Sequence, residues 1–213
     1  TPALDRALGS RRARAAALLL LALPGSAYLY QGEELGLPEV TDLPDDVRQD
    51  PVWERTQHSV RGRDGCRVPL PWTTGPGFGF TSGPSTWLPQ PDYFGDYAVS
   101  VQEHLDDSTL SLYRRALRLR RELDLGGGGA LTWSSDDGDQ RWASDAEDVL
   151  AFRRGPVLVV ANLSADPLPL PPGARVLLAS RSLTTHVLPV DAAAWLDTPR
   201  SGRETSDPGK ETR

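Results

Sequence analysis

The sequence predicts an α/β unit followed by a small all-β unit. A helix-favouring run leads through Pro24-Gly25 into a short apolar segment, which is typical of one helix-to-strand step in an α/β protein. After the glycines at 126–129, short alternating segments separated by turn residues indicate a small antiparallel β-sandwich. The 213 residues are enough for one large domain or two small ones.

The first predicted element is a helix over residues 10–22, with Ser10 as its N-cap. Alanine and leucine dominate this run and favour helix, and apolar residues surround the axis from Ala15 onward. We therefore expect a helix that is buried on most sides. Arginines near its start have the wrong sign for the helix dipole, which predicts an acidic partner outside the helix.

A buried strand is predicted over residues 26–30, and Gln31, Glu33 and Glu34 follow within four residues of its end. Open α/β sheets and barrels bind ligands at the carboxyl ends of their strands, so these polar side chains form a candidate site. Solvated loop glutamates would produce the same local sequence, and that alternative stays open at this point.

Residues 38–102 form a long segment that is rich in proline, glycine, aspartate and tryptophan and shows little periodicity. Its aromatic residues argue against disorder, and a segment of this length in a compact protein is usually functional. We therefore expect an ordered segment that faces a ligand. The aromatic rings suit the faces of sugars, although ordinary packing is the simpler explanation for any single ring.

Within this segment Arg63 and Arg67 bracket Asp64. A guanidinium group offers a rigid fork of donors that can clamp a carboxylate or reach neighbouring hydroxyl groups. Asp64 could orient one of the arginines or bind a hydroxyl group itself. The alternative is a structural Arg–Asp pair that only holds the loop.

The clearest predicted helix covers residues 107–123, with Asp107 or Ser108 as its cap and an apolar face at helical spacing. A domain boundary is predicted at the glycines, which separates residues 1–125 from residues 126–197. Residues 198–213 contain no large apolar side chain, so we expect a disordered tail. The strands predicted for the second unit are 130–133, 140–143, 148–153, 157–163, 174–179 and 185–190.

Composition argues against several classes of function. A net charge of −6 argues against a nucleic-acid partner, and the apolar run 15–23 is too short to span a membrane. The three scattered histidines show no metal-ligand spacing, and no metal or cofactor is predicted. The single cysteine, Cys66, excludes an intramolecular disulfide and agrees with a reducing compartment, so a cytoplasmic location is expected.

A set of short motifs resembles a known family by residue types, order and spacing. The first two are LPGSAYLYQGEELGL at 23–37 and RDGCRVPLPW at 63–72; the others lie at 79–83, 87–89, 111–115 and 119–123. Together they resemble glycoside hydrolase family 13, in particular its α-glucosidase and oligo-1,6-glucosidase branch. The match covers nearly all of residues 10–196.

This resemblance implies a fold. Residues 1–125 would be the C-terminal remnant of a (β/α)8 TIM barrel, with its last strand, its last helices and a long loop. Residues 126–197 would be the antiparallel β domain that closes such enzymes. A whole barrel needs about 250 residues, so this chain cannot close one by itself.

The resemblance also implies retaining hydrolysis, or transfer, of a terminal α-linked glucose. This chemistry needs one carboxylate as the nucleophile and one carboxylic acid as the proton donor. In the family these acids and a supporting aspartate lie on earlier strands, and the chain lacks the Asn-His-Asp motif that carries the supporting aspartate. We therefore assign no catalytic residue and expect a C-terminal fragment that is inactive alone, with its acids upstream of residue 1.

The residues that the resemblance places on the substrate side are Arg63, Arg67, Asp64, Glu39, Glu34 and Gln31. The two arginines would approach the glucose pocket and its entrance, and the aspartate would orient them. Glu39 would gate the pocket opposite Arg63, while Glu34 and Gln31 would shape its wall. The implied partner is an α-glucoside oligosaccharide, and no cofactor is implied.

Two other hypotheses remain open. The chain could be a free-standing carbohydrate-binding or interaction module that uses the aromatic segment without hydrolysis. It could also be an unrelated α+β domain whose motifs match by chance. The absence of methionine, even at position 1, suggests that residue 1 is not a natural start and that the chain is a C-terminal piece of something longer; a processed start is the alternative.

Overall fold

Two long helices pack side by side on one face of a five-stranded antiparallel sheet. Helix α1 spans Pro2–Ala22 and helix α4 spans Thr109–Glu122. Their apolar faces and the sheet share one buried core that includes Leu18, Tyr113 and Trp195. The computed structural model describes residues 2–134, 148–183 and 185–198, with the backbone alone for residues 2–9.

The two long helices follow the sequence prediction to different degrees. Helix α1 begins at Pro2, so the predicted start at Ser10 is wrong and Ser10 lies inside the helix. The preceding alanines and leucines favour helix, and proline is well tolerated at a first helical position. For α4 the prediction is confirmed: the Ser108 side chain caps the helix by accepting a hydrogen bond from the Ser111 amide at 3.1 Å.

The predicted buried strand at residues 26–30 is not formed. Tyr28 is 86% exposed and Tyr30 is 48% exposed, so the segment is not buried either. A strand needs a neighbour to complete its hydrogen-bond ladder, and no strand of the described residues lies beside this one. The sequence of residues 26–30 therefore has the apolar alternation of a strand, but the neighbouring strand that would complete its hydrogen bonds is missing among the described residues.

The long segment after residue 38 is ordered, as predicted. It consists of loops, 3-10 turns and two short helices, α2 (Pro51–Arg55) and α3 (Val99–Gln102). A separate apolar cluster lies beneath it, formed by Val40, Leu43, Val68, Leu88 and Phe94. This small core holds the loops that carry the candidate site.

The sheet has the strand order β1-β2-β3-β7-β5. Two further strands, β4 and β6, form a separate two-stranded antiparallel sheet. The strands are β1 (Leu131–Trp133), β2 (Val149–Arg154), β3 (Val157–Asn162), β4 (Leu168–Pro169), β5 (Arg175–Ala179), β6 (Val187–Leu188) and β7 (Ala192–Asp197).

Strand β3 is buried along its whole length, because apolar clusters cover both faces of the sheet at this strand. Val157 and Val159 face the helices, whereas Leu158 and Val160 face a second cluster that includes Leu188 of β6. The antiparallel prediction is thus confirmed, but the second layer of the predicted sandwich has only two short strands among the described residues.

One strand of the sheet was missed, and one predicted strand outside it is shorter than expected. The missed strand is β7, which pairs with both β3 and β5. Its alanines have low strand propensity, and burial on both faces removes the alternation that marks a half-buried strand. The predicted strand 185–190 is reduced to β6, and the predicted strand 140–143 lies outside the described residues, as does the predicted tail after Thr198.

Polar contacts from α1 reach the sheet in addition to the apolar core. The Arg12 guanidinium lies 2.7 Å from the buried carboxylate of Asp191, so an acidic partner is present. Because α1 begins at Pro2, Arg12 lies in the middle of the helix, and the helix-dipole reason given for that partner is wrong. Arg14 donates to the Ser180 carbonyl at 2.9 Å and to the Thr109 hydroxyl at 3.1 Å. Desolvation by burial lowers the pKa of Arg14. These contacts tie α1 to both α4 and the sheet.

Arg154 holds the glycine-rich turn at the predicted domain boundary. Its guanidinium is buried and donates to the carbonyls of Leu125 at 2.7 Å, Gly127 at 2.8 Å and Gly129. A buried cation that binds several carbonyl oxygens fixes the chain at this turn. The boundary between residues 1–125 and 126–197 stays a prediction, since the helices and the sheet share one core. Among the described helices, none combines the length and the apolar character needed to cross a membrane.

Candidate functional site

The chain leaves the 26–30 segment through a tight turn built on Gly32. This glycine has φ 91°, in the left-handed region that favours glycine, and the 3-10 turn Glu33–Leu35 follows it. The Glu34 carboxylate accepts a hydrogen bond from the Gly32 amide at 2.9 Å, so this side chain bends back onto its own turn. Gln31 and Glu33 stay exposed.

Asp64 is the buried anchor of the arginine-bearing loop. It is 1% exposed, and its Oδ2 accepts hydrogen bonds from the amides of Gln49 and Asp50, both at 2.8 Å. Its other oxygen, Oδ1, lies 3.5 Å from Nη1 of Arg67. A carboxylate with two backbone donors and a cation beside it holds three parts of the loop together.

Asp50 is a second anchor, which sequence reasoning missed. It caps α2 by accepting from the Val52 amide at 3.0 Å, and its Oδ2 accepts from the Arg63 amide at 3.0 Å. The same oxygen lies 3.4 Å from Arg67 Nη2 and 3.8 Å from Arg63 Nε. The Asp50-Pro51 pair is a recognisable helix start, but nothing in the sequence connects it with residues 63–67.

The environment of Asp50 lowers the pKa of its carboxyl group. The largest cause is the hydrogen bond from the Val52 amide, followed by the one from the Arg63 amide; the positive charges of Arg67 and Arg63 act in the same direction. Desolvation opposes these effects but does not outweigh them. The site therefore stabilises the ionised carboxylate.

Replacing Asp50 with asparagine should make stability depend less on pH in acid. Because the pKa of Asp50 is lowered in the folded state, the stabilisation is fully present above its ordinary value of 3.8 and is lost as the pH falls through the lowered pKa. We expect the difference in unfolding free energy between wild type and Asp50→Asn to be constant above about pH 5 and to shrink below about pH 4.

The measurement is urea denaturation across this pH range. Asparagine caps helices about as well as aspartate, so the cap is kept, while the charge and one of the two acceptor oxygens are lost; only the charge gives the pH dependence. Asp50→Ser, which also keeps a capping group, should show the same pH dependence. A difference that does not change with pH would show that the charge of Asp50 does not stabilise the fold.

Gly65 brings the arginine-bearing loop against residues 39 and 40. The Val40 amide donates to the Gly65 carbonyl at 3.1 Å. A Cβ atom on Gly65 would lie 2.3 Å from the Val40 carbonyl oxygen and 3.0 Å from Cγ of Glu39, so a larger residue would force the two segments apart. Glu39 consequently contacts the loop at the glycine that lies two residues in sequence from both arginines.

Two neighbouring cavities share Gln31. The smaller, about 220 Å³, is lined by residues that include Gln31, Glu39, Gly65 and Cys66. The larger, about 410 Å³, is lined by residues that include Gln31, Arg67, Trp72, Phe80 and Trp87. The turn after residue 30 and the arginine-bearing loop thus form walls of the same pair of cavities.

The predicted site residues are distributed unevenly around these cavities. Gln31, Glu39 and Arg67 line them, and Asp64 lies buried behind Arg67. Arg63, whose side chain is 78% exposed, and Glu34 line neither. Their roles toward a substrate stay predictions. Among the side chains that the structure describes, no group of three or more histidine, cysteine, aspartate or glutamate residues could hold a metal ion.

Comparison with known proteins gives a consistent family relation. The family model described as "Alpha amylase, catalytic domain" matches residues 3–126. A probable alpha-glucosidase of Rhizobium meliloti is 41% identical over 109 residues, which is 51% of this chain and 19% of that protein. The trehalose synthase/amylase TreS of Mycobacterium tuberculosis is 31% identical over 198 residues, 87% of this chain and 28% of that protein.

Solved structures agree with these relatives. The alpha-glucosyl transfer enzyme XgtA is 36% identical, with a TM-score of 0.64 over 87% of this chain and 35% of that one. The trehalulose synthase MutB shares the fold at 22% identity, with a TM-score of 0.69 over 88% of this chain and 38% of that one. The chain spans less than a third of the length of the curated relatives it matches.

Proposed function

The chain belongs to the alpha-amylase family of glycoside hydrolases, and from this premise we propose that it forms the C-terminal, substrate-facing part of a retaining α-glucosidase. Such an enzyme removes the terminal α-linked glucose of an oligosaccharide. Residues 1–125 would complete a (β/α)8 barrel, and residues 126–197 would form its closing β domain. The alpha-glucosidases among the relatives support this substrate class.

The observation that carries the proposal is the meeting of two sequence motifs at one pair of cavities. Gln31 belongs to the first motif and Arg67 to the second, and both line the larger cavity. Because Gln31 and Arg67 are far apart in the sequence, local structure alone does not bring them to the same cavity. Two distant motifs that share one concave surface are what a substrate pocket requires.

The reacting acids would lie elsewhere in the complete enzyme. A retaining mechanism needs two carboxyl groups about 5–5.5 Å apart across the glycosidic bond. In the site, the buried carboxylates of Asp50 and Asp64 accept hydrogen bonds from backbone amides and lie beside arginine side chains. The Glu34 carboxylate accepts a hydrogen bond from the Gly32 amide. These three carboxylates are engaged in holding the loops, which argues against them as the reacting pair.

An open apolar groove on α1 further supports the proposal. This groove is a cavity of about 580 Å³ lined by residues that include Ala13, Ala17, Leu20, Leu37 and Tyr113. Leu20 is 37% exposed although it lies on a helix whose other face is buried. Burial, and to a smaller extent Glu33 and Glu34, raises the pKa of Tyr113 to about 12, so Tyr113 lines the groove as a neutral phenol. We propose that the barrel strands cover this face.

The test compares the 213-residue chain with the product of the complete reading frame that contains it, on p-nitrophenyl α-glucoside. We expect no turnover by the 213-residue chain and turnover by the complete product, which should release α-glucose first when NMR follows the anomers. Hydrolysis by the shorter chain would overturn the claim that the acids lie elsewhere. Lack of hydrolysis by both would overturn the α-glucosidase proposal.

The competing proposal is a non-catalytic carbohydrate-binding module. The exposed aromatic rings of Trp72 and Trp87 beside the larger cavity favour it, because they need no reacting acids to bind a sugar. The reading frame upstream of Thr1 separates the two proposals. A frame that continues through a nucleophile motif and an Asn-His-Asp motif supports the enzyme, whereas a start signal directly upstream supports the module.

A further inference from the structure

The buried side chain of Gln102 joins three segments of the chain. Gln102 is the last residue of α3 and is 6% exposed. Its Nε2 donates to the carbonyls of Leu35 and Tyr97, both at 2.9 Å, and its Oε1 accepts from the Leu110 amide at 3.1 Å. An amide side chain has two N–H donors, so both are used here. Loss of this amide would remove a hydrogen-bond partner from each of the three segments.

The first of these segments is the turn that follows Gln31, a residue that lines both cavities. The amides of Leu35 and Leu37 donate to the Gly32 carbonyl at 3.1 and 3.0 Å, so the turn closes on the residue next to Gln31. Leu35 is 1% exposed, and its carbonyl is the group that binds Gln102. Because the turn is short and closed, a displacement of this carbonyl would also displace Gln31.

The second segment is the 3-10 turn Asp92–Tyr97, which also reaches the smaller cavity. Phe94 belongs to this turn, is 2% exposed and lines that cavity together with Gln31 and Glu33. The Nε2 of Gln102 thus connects two turns that supply different parts of one lining. Gln102 itself lines neither cavity, so any effect on a ligand would act through these turns.

The third segment is the start of helix α4. Leu110 is its second residue, and its amide is one of the first N–H groups, which have no partner inside a helix. Gln102 supplies that partner through Oε1, and its own carbonyl accepts from the Ser108 hydroxyl at 2.8 Å. Helix α4 packs into the core that it shares with α1 and the sheet. The start of α4 therefore gives Gln102 a fixed point of attachment.

We propose that Gln102 is a positioning residue for the substrate site. Its amide sets the distance between the turn that carries Gln31 and the turn that carries Phe94, and it fixes both turns to the start of α4. This inference rests on the proposed function, which supplies an α-glucoside as the ligand. Loss of the amide loosens the lining of the smaller cavity and weakens substrate binding, although Gln102 touches no substrate.

The test compares variants of the complete product on p-nitrophenyl α-glucoside. Gln102→Met keeps an unbranched side chain of similar length but has no amide, so all three hydrogen bonds are lost. Misplacement of a site group by about 1 Å can cost about a hundredfold in rate. We expect KM to rise about tenfold in this variant, with a smaller change in kcat, as for a lost binding interaction.

Asn162→Leu is the matched control for a purely structural role. Asn162 is a fully buried amide of β3, and its Nδ2 donates to the carbonyls of Asp166, Leu188 and Pro189 at 2.8, 3.2 and 3.3 Å. It lines neither cavity. This control removes a comparable set of hydrogen bonds, so it should lower stability and leave KM unchanged. Equal rises of KM in Asn162→Leu and Gln102→Met would overturn the inference.

Gln102→Glu provides a second variant, which decides the question if Gln102→Met does not fold. A protonated carboxyl group can still donate to the carbonyl of Leu35 or Tyr97, whereas an ionised one cannot. The KM of this variant, divided by the wild-type KM, should therefore increase as the pH rises from about 5 to about 9 and the carboxyl group loses its proton. A ratio that stays constant over this range would overturn the inference.

Hydrogen exchange in the 213-residue chain tests the structural part of the inference without activity. The amides of Leu35 and Leu110 should exchange faster in Gln102→Met than in the wild type, and unchanged exchange would overturn the inference. Faster exchange with an unchanged KM, in an active complete product, would overturn the positioning role and leave the proposed function standing. A wild-type complete product without activity would overturn both.

Discussion

Replacing Trp195 with alanine is expected to lower the free energy of unfolding by about 3–5 kcal/mol. The indole of Trp195 is fully buried in the core between the sheet and the two long helices. Its Nε1 donates to the Leu18 carbonyl of α1 at 3.0 Å. The substitution removes the largest buried side chain of β7 and leaves a cavity where α1 meets the sheet.

Chemical denaturation followed by far-UV circular dichroism measures this effect. Trp133→Ala is the matched control, because Trp133 lies on the same sheet but is 46% exposed and touches Phe152 only edge-on. We expect a loss of about 1 kcal/mol for the control. Similar losses in both variants would show that the core between α1 and the sheet does not dominate stability.

Trp195→Phe separates the two contributions of this side chain. Phenylalanine keeps most of the apolar contact but cannot donate to the Leu18 carbonyl. We expect a smaller loss than for Trp195→Ala, with the difference reporting on the filled volume. If the phenylalanine variant were as unstable as the alanine variant, the hydrogen bond would outweigh the packing.

Replacing Asp64 with alanine should destabilise the arginine-bearing loop by about 2–6 kcal/mol, because two backbone amides lose their acceptor at about 1–3 kcal/mol each. The change leaves the amides of Gln49 and Asp50 without their acceptor and Arg67 without one of its two carboxylates. Hydrogen exchange at those two amides measures the effect locally, and both should exchange faster. Asp42→Ala, which removes an exposed carboxylate from the same long segment, should change neither amide.

Asp64→Asn tests whether the loop also positions a substrate. Asparagine keeps an oxygen that can accept from the two amides but loses the negative charge toward Arg67. We expect most of the stability to remain, while KM for an α-glucoside rises in the complete enzyme with a smaller change in kcat, as for loss of a binding interaction. Unchanged KM and kcat would restrict Asp64 to a structural role.

Asp64→Ala and Asp64→Asn test the two roles that the sequence left open for Asp64, which are holding the loop and positioning a substrate. Asp64 holds the loop through Gln49, Asp50 and Arg67, as the structural alternative supposed. Arg67 nevertheless lines the larger cavity, so an anchored loop and a substrate-facing arginine are compatible. The sequence motif placed the right residues together but did not distinguish the anchor from the contact surface.

Local chemistry is enough to predict several elements from the sequence. Helix α4 follows from its apolar spacing and the Ser108 cap, and strands β2 and β3 follow from their apolar, β-branched runs. The motifs at 23–37 and 63–72 point to the family by themselves, because their residue types depend on the site they build. In each case the information lies within a few residues of the chain.

The remaining features depend on which distant parts of the chain meet in the folded protein. Residues 26–30 have the pattern of a strand but pair with no strand in the described part of the chain, whereas the alanine-rich β7 is a strand because β3 and β5 lie on either side of it. Asp50 joins the site through the amide of Arg63, and Trp72 and Trp87 meet across one cavity. The physical reason is shared: ladder hydrogen bonds, burial and ion pairs form between segments far apart in sequence, and local propensity does not encode these pairings.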